Sequence, residues 1–114
     1  MLVKGYKKPL TREDFVNEII RADSFVIVEG KKDVAKLRKL GIINVIQLSR
    51  RSLCSFAEKV SEEHKRVILL MDNDKEGSKL FSKLKSEFGR LGVFVDESFQ
   101  EKLASLKVSH VEGL

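Results

Sequence analysis

Two apolar runs in this chain stop abruptly at acids. Val26-Ile27-Val28 gives way to Glu29-Gly30-Lys31-Lys32-Asp33, and Leu69-Leu70-Met71 gives way to Asp72-Asn73-Asp74-Lys75-Glu76-Gly77. Along an extended strand end, alternation puts Asp72 and Asp74 on the same side, where they can share one cation. If the two strands are neighbours, Glu29 faces the same space. Three carboxylates that close repel one another unless a cation or a shared proton intervenes. Hard oxygen donors of this kind suit Mg²⁺, or alternatively Mn²⁺, with water and substrate phosphates completing the octahedron. Each motif alone also has a capping explanation, with Asp74 capping a helix that starts at Lys75 and Glu29 one that starts at Lys31. Their joint occurrence at equivalent ends of two strands favours the metal site.

Neighbouring motifs do not fit. Asp72-x-Asp74-x-Glu76-Gly77 resembles the start of an EF-hand loop, but Lys83 stands where that loop needs its last acid. Gly30-Lys31-Lys32 lacks the upstream glycine and the following Ser or Thr of a P-loop. No His or Cys cluster has zinc spacing, and His64 and His110 read as surface residues. The single Cys54 cannot form an internal disulfide, has no local relation to a histidine, and is compatible with a reducing, cytoplasmic location.

The acids must be positioned by the elements around them. Thr11 reads as an N-cap, and Phe15, Val16, Ile19 and Ile20 follow at helical spacing, which predicts a helix over 12–22. Ser24 to Val28 reads as a strand buried on both faces. Lys31 to Lys39 is predicted as a helix with Val34, Leu37 and Leu40 on one side, closed by Gly41. Ile42 to Leu48 is the second predicted strand. Ser52 then caps a helix with Leu53, Phe56, Ala57 and Val60 inward, and Arg66 to Met71 is the third strand. Gly77, Leu80, Phe81, Leu84, Phe88 and Leu91 form a helical stripe ended by Gly89 or Gly92. Val93 to Val95 is the fourth strand, and Asp96 is expected to cap a last helix carrying Phe99, Leu103 and Leu106.

This alternation predicts an α/β fold, Rossmann-like, with about four strands in a largely parallel sheet and helices on both faces. In such sheets ligands bind beyond the carboxyl ends of the strands. The 114 residues suit one domain, 1–114, with a motif-bearing core at 24–95 and a basic lead-in at 1–10. The longest apolar run, Val67 to Met71, is too short to cross a bilayer, which argues against a membrane protein. A formal net charge of +5 fits either a nucleic-acid partner or a lysine-rich solvated surface.

An apolar strand ending in Glu29-Gly30, followed by another ending in Asp72-x-Asp74-x-x-Gly77, resembles the Toprim domain of topoisomerases, bacterial primases, nucleases and a ribosomal-RNA maturase. Residues 24–95 carry the resemblance. Lys31-Lys32-Asp33 looks most like the maturase branch and the small stand-alone archaeal Toprim proteins. The resemblance implies a Toprim fold in which Glu29, Asp72 and Asp74 bind Mg²⁺, one or two ions. In catalytic members the glutamate also acts as general acid or base in phosphodiester chemistry. Those members carry additional domains. Tyr6, the one tyrosine, has nothing around it to form a strand-passage gate and is not expected to be a topoisomerase nucleophile.

Two functions from different classes stay open. In the first, the chain is an Mg²⁺-dependent, nuclease-like enzyme in which Glu29 manages a proton. Lys31, Lys32, Lys36, Arg50 and Arg51 would then track a nucleic-acid backbone, unless they form an ordinary solvated face. In the second, it is a non-catalytic module that binds metal and RNA or DNA, or a protein partner, within a larger processing assembly. A receiver-like phospho-acceptor domain ranks below both, because Val93-Phe94-Val95 leads to Asp96-Glu97 rather than to a lysine.

Overall fold

A computed structural model describes residues 10–108 and 110–114. Apart from Leu10, the basic lead-in, with Lys4, Tyr6, Lys7 and Lys8, lies outside the described residues. Helix α1 (Arg12–Ala22) opens with a reciprocal capping box: the Asp14 amide donates to the Thr11 hydroxyl at 3.0 Å, and the Thr11 amide donates to the Asp14 carboxylate at 3.3 Å. Strand β1 (Phe25–Val28) follows, then α2 (Lys31–Lys39), β2 (Val45–Gln47), α3 (Leu53–Glu63), β3 (Arg66–Leu70), α4 (Lys75–Arg90), β4 (Phe94–Asp96) and α5 (Ser98–Ser105). A short 3₁₀ turn, η1 (Val111–Gly113), ends the chain.

Two helix ends depend on glycine. At Gly41 (φ 98°) and Gly92 (φ 75°) the backbone enters the left-handed region. In both cases the next amide reaches back to the last turn, Ile42 to the Leu37 carbonyl and Val93 to the Phe88 carbonyl, each at 2.9 Å. This is the Schellman closure, which satisfies carbonyls that a helix end otherwise leaves without partners. Gly92 therefore ends α4, and Gly89 lies inside the helix.

The strands form one parallel sheet in the order β2-β1-β3-β4. Along the central strands, alternate side chains enter different cores. Val26, Val28, Ile68 and Leu70 pack with α1, α2 and α5 through Phe15, Ile19, Leu37 and Leu103. Ile27, Val67 and Leu69 pack with α3 and α4 through Ala57, Val60, Leu84 and Phe88. Covering the sheet on both sides is what makes β1, and β3 from Val67 onward, apolar at successive positions. Each fully buried Val, Leu or Ile contributes about 1.5–3 kcal/mol by leaving water.

Two sequence expectations shift at the edges. The second strand is only Val45–Gln47, because Gly41 to Asn44 is spent closing α2 and turning back. Asp96 is the last residue of β4, and Glu97 occupies the N-cap of α5. Asp96 still holds that turn, since its carboxylate accepts from both the amide and the hydroxyl of Ser98 at 3.0 and 2.6 Å.

The chain direction reverses between β1 and β3: β2 is added on one side of β1, and β3 and β4 on the other. Val28 and Leu70 are in register, so Glu29 and Met71-Asp72 emerge side by side at this switch point. Close backbone packing holds the second corner. A Cβ built on Gly77 would lie 1.9 Å from the Asp72 carbonyl oxygen and 2.8 Å from its carbon. Only glycine lets the first turn of α4 lie against the backbone of Asp72. Gly77→Ala should therefore destabilise the protein by at least about 3 kcal/mol, the upper end of ordinary overpacking, because the clash is with backbone. Gly89→Ala, where a Cβ meets nothing within 4 Å, should be neutral or stabilising by about 0.5–1 kcal/mol. Chemical denaturation of the two variants checks the contrast; equal midpoints would contradict the packing argument.

Candidate metal centre at the strand switch point

Glu29 is the first residue past β1 and is 8% exposed. Its two oxygens are divided between two donors. Oε2 accepts from the Asp72 amide at 2.5 Å, which links the ends of β1 and β3, and Oε1 accepts from Arg50 at 3.1 Å. Arg50 also donates to Glu76 at 2.8 Å, so one guanidinium spans the loop after β2 and the first turn of α4. Burial pushes the Glu29 carboxyl above its ordinary range. The Asp72 amide and Arg50 pull it back, while the charges of Asp72 and Asp74 push it up again.

On the β4 side, the Met71 backbone is clasped by one side chain. The Gln100 amide oxygen accepts from the Met71 amide at 2.8 Å, and its nitrogen donates to the Met71 carbonyl at 2.9 Å. Gln100 thus takes up the β3 backbone three residues past Ile68, where β4 stops pairing, and it gives Asp72 a fixed base.

Asp74 is the N-cap of α4, with Oδ1 accepting from the Gly77 amide at 2.7 Å. The capping role and the metal role do not compete, since Oδ2 lies on the other side, 4.0 Å from Nε2 of His110. Asp72 Oδ1 meets the amide of Val111 at 3.4 Å. Glu29 does not cap α2. That position is Gly30, whose amide donates to the Asp33 carboxylate at 3.0 Å. Asp33 is itself buried, and burial raises its carboxyl too, against the pull of the Gly30 amide.

One ligand atom each from Asp72, Asp74 and His110 falls within 4.8 Å of the others. Two carboxylates and one imidazole are a donor set that a divalent ion accepts, so the residues present fit the ion that the sequence motif implies. Glu29 sits beside this group rather than within it, with both oxygens engaged.

The predicted basic residues are distributed unequally. Lys31, Lys32 and Arg50 line an open depression of about 360 Å³ together with Glu29, Asp72 and Glu112. Lys36 lies one turn further along α2 and Arg51 is exposed beyond Arg50; neither lines the depression. His64, expected at the surface, is half-buried and stacked on Phe25 with ring centroids 4.0 Å apart. Cys54 is exposed on α3.

Sequence reasoning gave no site role to Gln100, quoted Asp33 only within the Lys31-Lys32-Asp33 resemblance, and read His110 as a surface residue. Asp33 carried a usable signal, since an acid three residues after an N-cap is the capping-box pattern. Gln100 and His110 carried none, because their partners lie 29 and 36 positions away in the chain.

Comparison with known proteins agrees with this fold. The Toprim domain family matches residues 23–97. A UPF0292 protein of Methanosarcina acetivorans is 32% identical over 120 aligned residues, covering 98% of this chain and 83% of the relative. A UPF0292 protein of Pyrococcus horikoshii is 30% identical, covering 100% and 84%. A solved structure from Aquifex aeolicus superposes with a TM-score of 0.86 at 30% identity, covering 93% of this chain and 100% of that one. Toprim domains are divalent-metal-binding modules associated with nucleic acid. No helix among the described residues is long and apolar enough to cross a membrane. The chain is a member of the Toprim domain family, in its UPF0292 group.

Proposed function

We propose that this protein carries out metal-dependent phosphodiester chemistry on RNA or DNA, with Asp72 and Asp74 holding Mg²⁺ or Mn²⁺ and Glu29 handling a proton. The observation that carries the reading is the environment of Glu29. It is a buried carboxyl, raised by desolvation, at the rim of an open depression with lysines on one wall and the aspartate pair beside it. An acid displaced upward is better matched to proton transfer near neutral pH than an ordinary exposed glutamate. A bound divalent ion would neutralise charge developing on the phosphate and polarise its oxygens.

The residues of the chain would divide the remaining work. Lys31 and Lys32 stand in the first turn of α2, where helix dipole and side-chain charge both attract a phosphate. Asp72 and Asp74 are fixed by Gln100, Gly77 and the α4 cap, so little ordering remains to be done on binding. Glu29 accepts or gives a proton at Oε1, the oxygen that Arg50 holds, once Arg50 releases it.

A second reading is favoured by one contact. Arg50 ties Glu29 to Glu76, and a carboxylate held in this way is a brace rather than a proton carrier. On that reading the protein is a non-catalytic module that binds metal and nucleic acid for a partner protein.

Cleavage of labelled single-stranded, duplex and structured RNA and DNA in Mg²⁺ or Mn²⁺ separates the two. Catalytic use of Glu29 predicts a rate loss of ~10²–10⁴ in Glu29→Gln, the usual range for a general acid or base, with nucleic-acid affinity nearly unchanged. Metal-dependent binding with no turnover from any substrate would establish the second reading. Cleavage by Glu29→Gln at the unmodified rate would remove Glu29 from the chemistry. In either case Lys31→Ala with Lys32→Ala should flatten the log–log salt dependence of duplex-DNA binding by roughly 2, about 0.9 for each lost phosphate contact. An unchanged slope would leave those lysines as solvated surface.

A further inference from the structure

We propose that the C-terminal turn is part of the metal centre: His110 is a third ligand beside Asp72 and Asp74, and it tilts the site from Mg²⁺ toward Mn²⁺. The inference rests on the metal-site reading above and adds to it a residue outside the span that matches the family, 23–97.

The geometry is close to that of ligands sharing an ion. His110 Nε2 lies 4.0 Å from Asp74 Oδ2, too far for a hydrogen bond. Around an ion with bonds near 2.1 Å, adjacent ligands stand about 3 Å apart and opposite ligands about 4.2 Å. The spread of 4.8 Å across all three residues fits one ion with slight closure.

The segment is anchored where it must be. Val108, Val111 and Leu114 are buried in the core shared by α1, α2 and α5, while the His110 side chain stays 54% exposed between them and the acids. The Val111 amide donates to Asp72 Oδ1, so the turn docks directly on a metal-site aspartate. Apolar packing thus delivers an imidazole to the rim of an acidic pair. This is an ordered placement, not a stray histidine on a surface.

The chemical consequence follows from donor type. Mg²⁺ takes oxygen ligands and loses little by ignoring an imidazole. A first-row transition ion gains from a nitrogen donor, and so a mixed carboxylate–imidazole site favours Mn²⁺ more than a purely carboxylate site does.

The test is titration calorimetry of the full chain with Mg²⁺ and with Mn²⁺, alongside His110→Gln, and pulsed electron spin resonance of the Mn²⁺ form. The expected result is tighter binding of Mn²⁺ than Mg²⁺ and an imidazole nitrogen coupling in the Mn²⁺ spectrum. His110→Gln should lose about tenfold in Mn²⁺ affinity, the lower range for perturbing a metal site, with Mg²⁺ affinity changed far less and the coupling gone. An unmodified protein without that coupling, and a variant that binds Mn²⁺ equally well, would overturn the role of His110 and leave the aspartate site standing. Failure of the unmodified protein to bind either ion would overturn both.

Discussion

The Glu29 carboxylate accepting the Asp72 amide is the contact on which the rest of the site depends. It joins the ends of the two central strands at the point where the sheet reverses direction. Beyond Leu70 the β3 backbone no longer pairs with β1, and an unpaired buried amide costs about 1–3 kcal/mol. Glu29 supplies the missing acceptor on one side while Gln100 clasps Met71 from the other. The first residue of the Asp72-x-Asp74 motif is therefore held from both flanks before any ion binds.

That arrangement has an electrostatic cost. A buried carboxylate next to Asp72 and Asp74 faces like charge, and the protein offsets it with Arg50, the Asp72 amide and an upward shift of the Glu29 carboxyl. A divalent cation would relieve the same repulsion. The ion, the proton and Arg50 are thus alternative ways of satisfying one cluster, so metal binding and the position of Arg50 should be coupled. On the Glu76 side both groups are exposed, and an ion pair of that kind contributes only about 0–1 kcal/mol, so that contact of Arg50 is exchanged at modest cost.

The layered fold was largely legible in the sequence, for physical reasons. β1, and β3 from Val67 onward, are apolar at successive positions because both faces are covered, and α1 and α4 show clear helical stripes between strong caps. The strands at the two edges were harder: Val45–Gln47 is short, and Asp96 serves as both strand end and turn anchor. Glu29, Asp72 and Asp74 were visible as acids that interrupt apolar runs. The contacts that orient them were not. Arg50 was read only as a phosphate-tracking cation, and its ion pairs with Glu29 and Glu76 depend on how the loop after β2 folds back. Gln100 and His110 act through partners distant in the chain, which no local period reveals.

The central claim is that Asp72 and Asp74 hold one divalent ion at the switch point, next to Glu29. Anomalous diffraction from crystals grown in saturating Mn²⁺ tests it most directly. The account predicts an anomalous peak within bonding distance of both aspartates, and none there in crystals of Asp72→Asn, Asp74→Asn. A peak elsewhere on the surface, or no peak at all at saturating Mn²⁺, would contradict it.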